Sequence, residues 1–478
     1  MATRSNKKLF TLLLATILII GSTIAYKPGA LENTSGDTIS NRYFPVSILK
    51  HQTYLLNPFK KDLKGVDFAA IFDSGGDWIP RSYWGMLVFT VPFYFFADIV
   101  NLGGKEWTHD RVSVVSRYNA IFLAVTAVVL LFQLLIKFVS PMAAFGAAAL
   151  FAFGGWNWSL GAQGLTNQTV GVLLVTIGMH WSWKLSNDKK ATAWKWGFFL
   201  GLLLGLLWAA RSPDIFLLLP MLLQLRNPKQ FFACIGSTVL LVAPLTIIYI
   251  NIYGDPLGWQ GLLARLSPGM PVYRLNFLPG LAGLLVSPNR GAIVFFPLLL
   301  LIPFFWWKLL PKVEFLRTVK TVLKFRIPKL GKKVERGIPQ AFSQVLALSC
   351  ILYFASLCFL DWWHSTWSFG PRYLYNFQPC LWPAVALAIH SLINRTAHQQ
   401  AKLPTWSYAL LIIFAIQGIG VHWLGQRNFD IYVWNYKKRF VEARAWHFND
   451  FMLVDVWKVG PTEGRWPGAL ERLKSHGY

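Results

Sequence analysis

The chain has 478 residues, of which 54% are hydrophobic and only 14% charged, with a mean hydropathy of +0.42. A soluble protein of this size would carry about a quarter charged residues, so composition excludes an ordinary soluble domain. The formal net charge of +25 would suggest nucleic acid in a soluble chain. In a membrane protein it reads instead as basic cytoplasmic loops, and no nucleic-acid partner is expected.

Long apolar runs recur from end to end, which predicts an all-α polytopic membrane protein. The runs are continuous, unlike the short alternating strands of a β-barrel. The first, Leu9–Tyr26, follows Arg4, Lys7 and Lys8. Thr23-Ile24-Ala25 offers a weak cleavage site, but an uncleaved first helix is expected because the rest of the chain is also membrane-embedded. Residues 27–117 form a long first outer loop. It holds SGDTISNRYFPVSILKH (Ser35–His51), the turn around Asp73 and Asp77, and an apolar stretch, Tyr83–Val100, interrupted by Pro92. A transmembrane core follows over residues 118–307, a basic linker over 308–341, further transmembrane helices over 342–424, and a tail over 425–478. About eleven spans are expected: Leu9–Tyr26, Tyr118–Phe138, Met142–Trp158, Thr166–Trp183, Trp194–Ala210, Ile215–Leu225, Phe231–Tyr253, Ala292–Trp307, Phe342–Leu360, Leu374–Ile393 and Trp406–Leu424.

Counting Tyr83–Val100 as a span would move every later loop to the other side. Without it, the short loops on the side of the N-terminus carry nineteen Lys and Arg against five opposite. Cytoplasmic loops hold the basic excess, so Tyr83–Val100 is expected to be re-entrant or interfacial. The N-terminus is then cytoplasmic and the tail extracytoplasmic.

That topology sends the unusual residues outward. Asp37 lies just past the first span. A carboxylate there can take a proton from an attacking hydroxyl, or it can cap a helix before Thr38-Ile39-Ser40. Asp73 and Asp77 flank a Gly-Gly pair and read as a solvated turn. Arg290, after a Pro-Asn turn, either pairs bidentately with a phosphate or snorkels to headgroups. Arg372 follows Gly370-Pro371, which fixes a turn and so positions it. Asp361, Trp362, Trp363, His364 and Trp367 form a cluster that is either an aromatic belt or a saccharide site, with indole faces for stacking and Asp361 and His364 for hydrogen bonds. Arg42 lies on the same side. The four cysteines fall in apolar runs without metal-ligand spacing and read as small buried hydrophobes. No nucleotide-binding loop, H-E-x-x-H or G-x-S-x-G is present. No cofactor is expected, a divalent metal being possible in principle but unsupported by any ligand spacing. The linker Lys308–Arg336 has ten basic residues and two acids, and suits anionic lipid.

These pieces together resemble bacterial GT-C-type membrane glycosyltransferases related to the phospholipid-carrier-dependent enzymes. The matching segments are GDTISNRYFPVSILK, VPFYFFADI, RSPDIFLLLPMLL, SPNRGAIVFFPLLL, WWHSTWSFGPRYLYNFQP and RAWHFND, spread through most of the chain. The resemblance implies a GT-C-like fold in the bacterial inner membrane. The substrates it implies are a polyprenyl-phosphate-linked sugar donor and a glycan, lipid or protein acceptor. By the same resemblance Asp37 is the catalytic base, and Arg290 and Arg372 are the candidates to meet the donor phosphate. The chain departs from the family pattern in two places. The turn from Asn157 to Gln168 has no second carboxylate, and His364-Ser365 stands where Gly-Gly is frequent. The alternatives are a transporter or flippase, or a polymerase, of lipid-linked saccharides.

Overall fold

The computed structural model describes residues 2–26, 36–63, 71–74, 76–187, 193–258, 261, 277–309, 340–360, 363, 369–394, 403–427 and 442–459. Among these, structure is helical apart from one antiparallel hairpin, β1 (Ile71–Ser74) with β2 (Asp77–Pro80), paired Asp73 to Trp78 and Ser74 to Asp77. The longer helices are α1 (Ala2–Tyr26), α2 (Gly36–His51), α3 (Leu87–Ile99), α4 (His109–Leu135), α5 (Pro141–Phe153), α6 (Asn167–Asn187), α7 (Lys195–Ala210), α8 (Pro228–Tyr253), α9 (Phe277–Val286), α10 (Gln340–Cys358), α11 (Gln378–Ile393) and α12 (Thr405–Arg427). Four are long and apolar enough to cross a membrane: Lys8–Tyr26 within α1, then α4, α8 and α12. Seven shorter apolar helices accompany them. A backbone in lipid has no water to bond to, so a helix, which satisfies its own N–H and C=O groups, is the form such runs adopt.

Local sequence sets the ends. Before α8, the Asn227 side chain accepts from the Gln230 amide at 2.9 Å and Pro228 opens the first turn. After it, Gly254 sits at φ +65° and stops the helix. Proline also explains two departures from the expected spans. The run after Arg211 and the run after Gly291 are each broken into short α and 3-10 pieces, at Pro220 and at Pro297, where a ladder N–H is missing. The expected span Tyr118–Phe138 starts earlier, at His109, because Thr108 supplies the cap.

Helix α6 lies at the centre, buried along most of its length, with α4, α7 and α11 against it. Helix α1 packs on α4 and α5 and turns Leu9, Leu12, Ile20 and Ile24 outward. Helix α8 is peripheral and rests on α7. Their seam is a row of small residues: Gly197, Gly201 and Gly205 of α7 face Gln230, Cys234 and Leu241 of α8. A Cβ on Gly201 would stand 2.1 Å from the Cys234 carbonyl oxygen, and Thr238 Oγ1 donates to the Gly201 carbonyl at 3.1 Å. Close backbone approach of this kind is how helices associate in lipid.

Both ends of α3 meet the same end of the bundle. At its start, Gly85 abuts the Ala209–Ala210 peptide that closes α7, and the nearby Tyr253 hydroxyl at the end of α8 donates to the Pro80 carbonyl at 2.7 Å. At its finish, Asp98 pairs with Lys50 of α2 at 2.6 Å and with Arg111, in the first turn of α4, at 3.4 Å. The Arg111 guanidinium also lies 4.1 Å from the Trp107 ring centroid, which holds it in place. Start of α4 and end of α7 are four helices apart, hence on one side. Helix α3, 13 residues long, thus has both ends in contact with this one end of the bundle. We call this the loop-rich end. It carries α2, the hairpin, α3 and the turns considered next.

Candidate functional site

Three chain segments far apart in sequence bring arginines together at the loop-rich end. The first is the turn Ser287–Gly291, which carries Arg290, fully buried. The second is Phe369–Leu374. Gly370 takes φ +66°, a conformation that side chains avoid, and a Cβ there would lie 2.7 Å from the Phe295 ring. The Phe369 and Phe295 rings meet at 5.2 Å, so this turn is pressed onto the helix that follows Arg290. Arg372, half-buried, lies over the Tyr373 ring at 5.5 Å. The third is the tail, residues 442–459, where Arg444 is held by Asp450 through two contacts of 2.6 and 3.2 Å.

Arg290 donates to its neighbour's carbonyl, Asn289 O, at 2.8 Å and touches Met452 Sδ at 3.6 Å. Burial, then the like charges of Arg444 and Arg372, push its guanidinium down from the ordinary arginine range to about 9. Arg290 therefore holds its positive charge at a cost, and an anion bound beside it would lower that cost. The sign of the pH effect follows. A cation whose folded value is depressed destabilises the fold in full below that value, and the penalty lifts gradually as pH rises from about 9 toward the ordinary arginine range. Millimolar phosphate is accordingly expected to raise the thermal unfolding midpoint at pH 7, and to raise it much less at pH 10. An equal shift at both pH values, read by intrinsic fluorescence, would show that the phosphate acts elsewhere.

Beside this cluster lies a buried polar knot. Arg211 Nη1 donates to Asp214 Oδ1 at 2.9 Å and reaches the Tyr353 hydroxyl at 2.8 Å. The Tyr353 hydroxyl lies 3.1 Å from the same Asp214 oxygen and 2.8 Å from the Tyr373 carbonyl. Asn376 Nδ2 donates to Asp214 Oδ2. Asp214 and Asn376 are fully buried. They fit because α6 has Gly171 there: a Cβ would stand 2.5 Å from Asn376 Nδ2 and 2.6 Å from Asp214 Oδ2. The Tyr373 ring takes the Arg211 guanidinium at 5.0 Å as well as that of Arg372, so the knot braces the turn that carries Arg372.

The other residues singled out in the sequence are placed as follows. Asp37 has its backbone in the first turn of α2, which begins two residues earlier than a cap at Asp37 would require; its side chain lies outside the described residues. Arg42 is fully buried on α2, near His109 at the start of α4. Asp361, Trp362, His364 and Trp367 lie outside the described residues. Trp363 is buried, packed over Gly283 and edge-on to Trp446 of the tail at 6.2 Å. Asp77 is exposed and accepts from Asn57 Nδ2 at 2.8 Å, as suits a solvated turn; the Asp73 side chain is outside the described residues. In the turn without a second carboxylate, Asn157–Gly161 is a single π turn. Asn157 uses both ends of its amide on tyrosines, donating to Tyr26 at 2.8 Å and accepting from Tyr375 at 2.5 Å.

Chemically, this end offers cations for an oxyanion. Among the described residues no group of three His, Cys, Asp or Glu is placed to hold a metal ion. Sequence reading did not single out Asn289, Arg444 or the Arg211–Asp214 pair as site residues. The spacing of RSPD, three apart, and the fragment RAWHFND contain them, but neither shows burial. No family model matches the sequence, and no curated protein is significantly similar to it.

Proposed function

We propose that the protein is an integral-membrane glycosyltransferase that moves a sugar from a polyprenyl-phosphate donor to a glycan, lipid or protein acceptor. The observation that carries this reading is the convergence of Arg290, Arg372 and Arg444 from three separate segments at the loop-rich end. In the proposed reaction Asp37 takes the proton of the acceptor hydroxyl, and that oxygen attacks the anomeric carbon. The bond from this carbon to the phosphate oxygen breaks, its electron pair leaves with the lipid phosphate, and arginines meet the charge that develops. A single displacement inverts the anomeric centre. The loop Asp361–Trp367 holds the sugar or the acceptor.

In this reading about eleven helices cross the bacterial inner membrane and α3 lies along its outer surface. The N-terminus is cytoplasmic, and the loop-rich end and tail face outward. The basic bias of the opposite loops supports that orientation, and the contact of both ends of α3 with one end of the bundle supports its not crossing. External labelling of single cysteines should reach position 448 and miss the linker Lys308–Arg336. Labelling of the linker from outside would invert the whole arrangement. A flippase would set charges along a path inside its helices. The ion pairs Lys50–Asp98, Arg111–Asp98, Arg211–Asp214 and Arg444–Asp450 sit instead at one end, which favours chemistry at the surface.

Sugar transfer by purified protein from a polyprenyl-phosphate-linked donor tests the reading directly. Arg372→Lys keeps the charge but loses the planar fork that grips a phosphate by two bonds. It should cut transfer by about ten-fold or more, a charge-assisted hydrogen bond being worth about 1.5–3 kcal/mol. Wild-type rates in this variant would remove Arg372 from the phosphate site.

A further inference from the structure

The tail is fastened to the turn that carries Arg290 by one side chain. Asn289, fully buried, directs its Nδ2 group at the carbonyls of Arg444, His447 and Asp450 at 2.9, 3.1 and 3.0 Å. Its Oδ1 accepts from the Met452 amide at 2.8 Å, and its own backbone N–H donates to the Ala445 carbonyl at 3.2 Å. These partners lie some 155 to 163 residues away along the chain. A carboxamide supplies two donors and an acceptor in one small plane, which neither a carboxylate nor an alkyl group can do. The segment so gathered is a hook, closed on itself by the Arg444–Asp450 pair. The same residue serves the other side of the cluster, because its carbonyl oxygen receives Arg290 Nη1. Asn289 thus grips two arginines at once, one through its backbone and one through the hook.

We propose that the tail is part of the anion site: Asn289, a positioning residue, latches residues 444–452 onto the Ser287–Gly291 turn, and Arg444 joins Arg290 and Arg372 as a third ligand of the donor's phosphate. This rests on reading the loop-rich end as a phosphate site and adds to it a residue from outside the helical bundle. Three observations bear on it. Arg290 touches Met452 of the hook directly at 3.6 Å. Asp450 takes the Nε and Nη2 edge of Arg444 and so fixes the plane of its guanidinium. Trp446 of the hook meets Trp363, at the edge of the aromatic loop, at 6.2 Å, which joins the tail to the segment proposed to hold sugar.

The test uses the full-length protein in detergent with inorganic phosphate as probe and the shift in unfolding midpoint as readout. Arg444→Gln should raise the half-saturating phosphate concentration about ten-fold or more. Asn289→Ala should do the same and also open the tail to protease. Arg444→Lys, which keeps the charge, gives a second variant if glutamine does not fold, and should fall between wild type and Arg444→Gln. The same titration with a polyprenyl phosphate separates the sources: a lipid-borne ligand saturates at far lower concentration than free phosphate, and Arg444→Gln weakens both. Unchanged phosphate affinity in Arg444→Gln and Arg444→Lys, with affinity lost in Arg290→Gln, would overturn the third ligand and leave the phosphate site standing. A wild-type protein that phosphate does not stabilise at all would overturn both.

Discussion

Asp37→Asn is expected, on the proposed mechanism, to slow sugar transfer by about 10²- to 10⁴-fold at matched expression, the usual effect of losing a general base. Asparagine keeps the size of the side chain and most of its hydrogen bonds but cannot accept the acceptor's proton. The competing role is structural. Asp37 lies in the first turn of α2, where a carboxylate interacts favourably with the helix dipole by about 0.3–1 kcal/mol. If that were its whole contribution, Asp37→Asn would lower the unfolding midpoint slightly and leave turnover near normal. The two roles therefore separate when rate and stability are measured on one preparation. Near-normal transfer would move the search for the base to Asp73, Asp77 and Asp361.

Asp214→Ala should have the largest effect on the fold itself, about 3–5 kcal/mol, because it strands the Arg211 charge in a buried setting. It also takes from the Tyr353 hydroxyl and the Asn376 amide the carboxylate whose two oxygens they use, Oδ1 and Oδ2 respectively. Removing both charges, as Arg211→Met with Asp214→Leu, should restore part of the loss, since two apolar groups need no partners. The measurement is the unfolding midpoint of single and double variants in the same detergent. A single variant within about 1 kcal/mol of wild type would mean that the pair does not brace the turn carrying Arg372.

Much of the helical layout was legible in the sequence because lipid imposes a simple rule on it. Continuous apolar runs mark helices, and Gly370-Pro371 does set Arg372 on a fixed turn, with Gly370 in the left-handed region. Prolines 220 and 297 are equally visible, yet the runs around them read as spans, because hydropathy counts side chains and not missing N–H groups. What could not be read is what depends on distant partners. Asn289 looks like an ordinary turn residue after a proline until the tail is beside it. Arg211 and Asp214 look like a surface pair until α6 and Tyr353 close over them. Hydropathy likewise cannot tell that both ends of α3 meet one end of the bundle; that follows from where Gly85 and Asp98 make contact.

The seam between α7 and α8 divides one helix into two regimes of sequence freedom. Most of the circumference of α8 faces outward, with Phe232, Leu240 and Ile247 more than half exposed, and there almost any apolar residue serves equally well. The strip that meets Gly197, Gly201 and Gly205 has no spare volume, and on the α7 side a single methyl group would collide with backbone at Gln230 or Cys234. Drift among homologues should therefore be fast around three sides of α8 and nearly frozen along the fourth. Several residues that fix the helix in place, Gln230, Ser237 and Thr238, are among its least hydrophobic, so the outward apolar positions of this membrane helix are the ones that carry the least information about its neighbour.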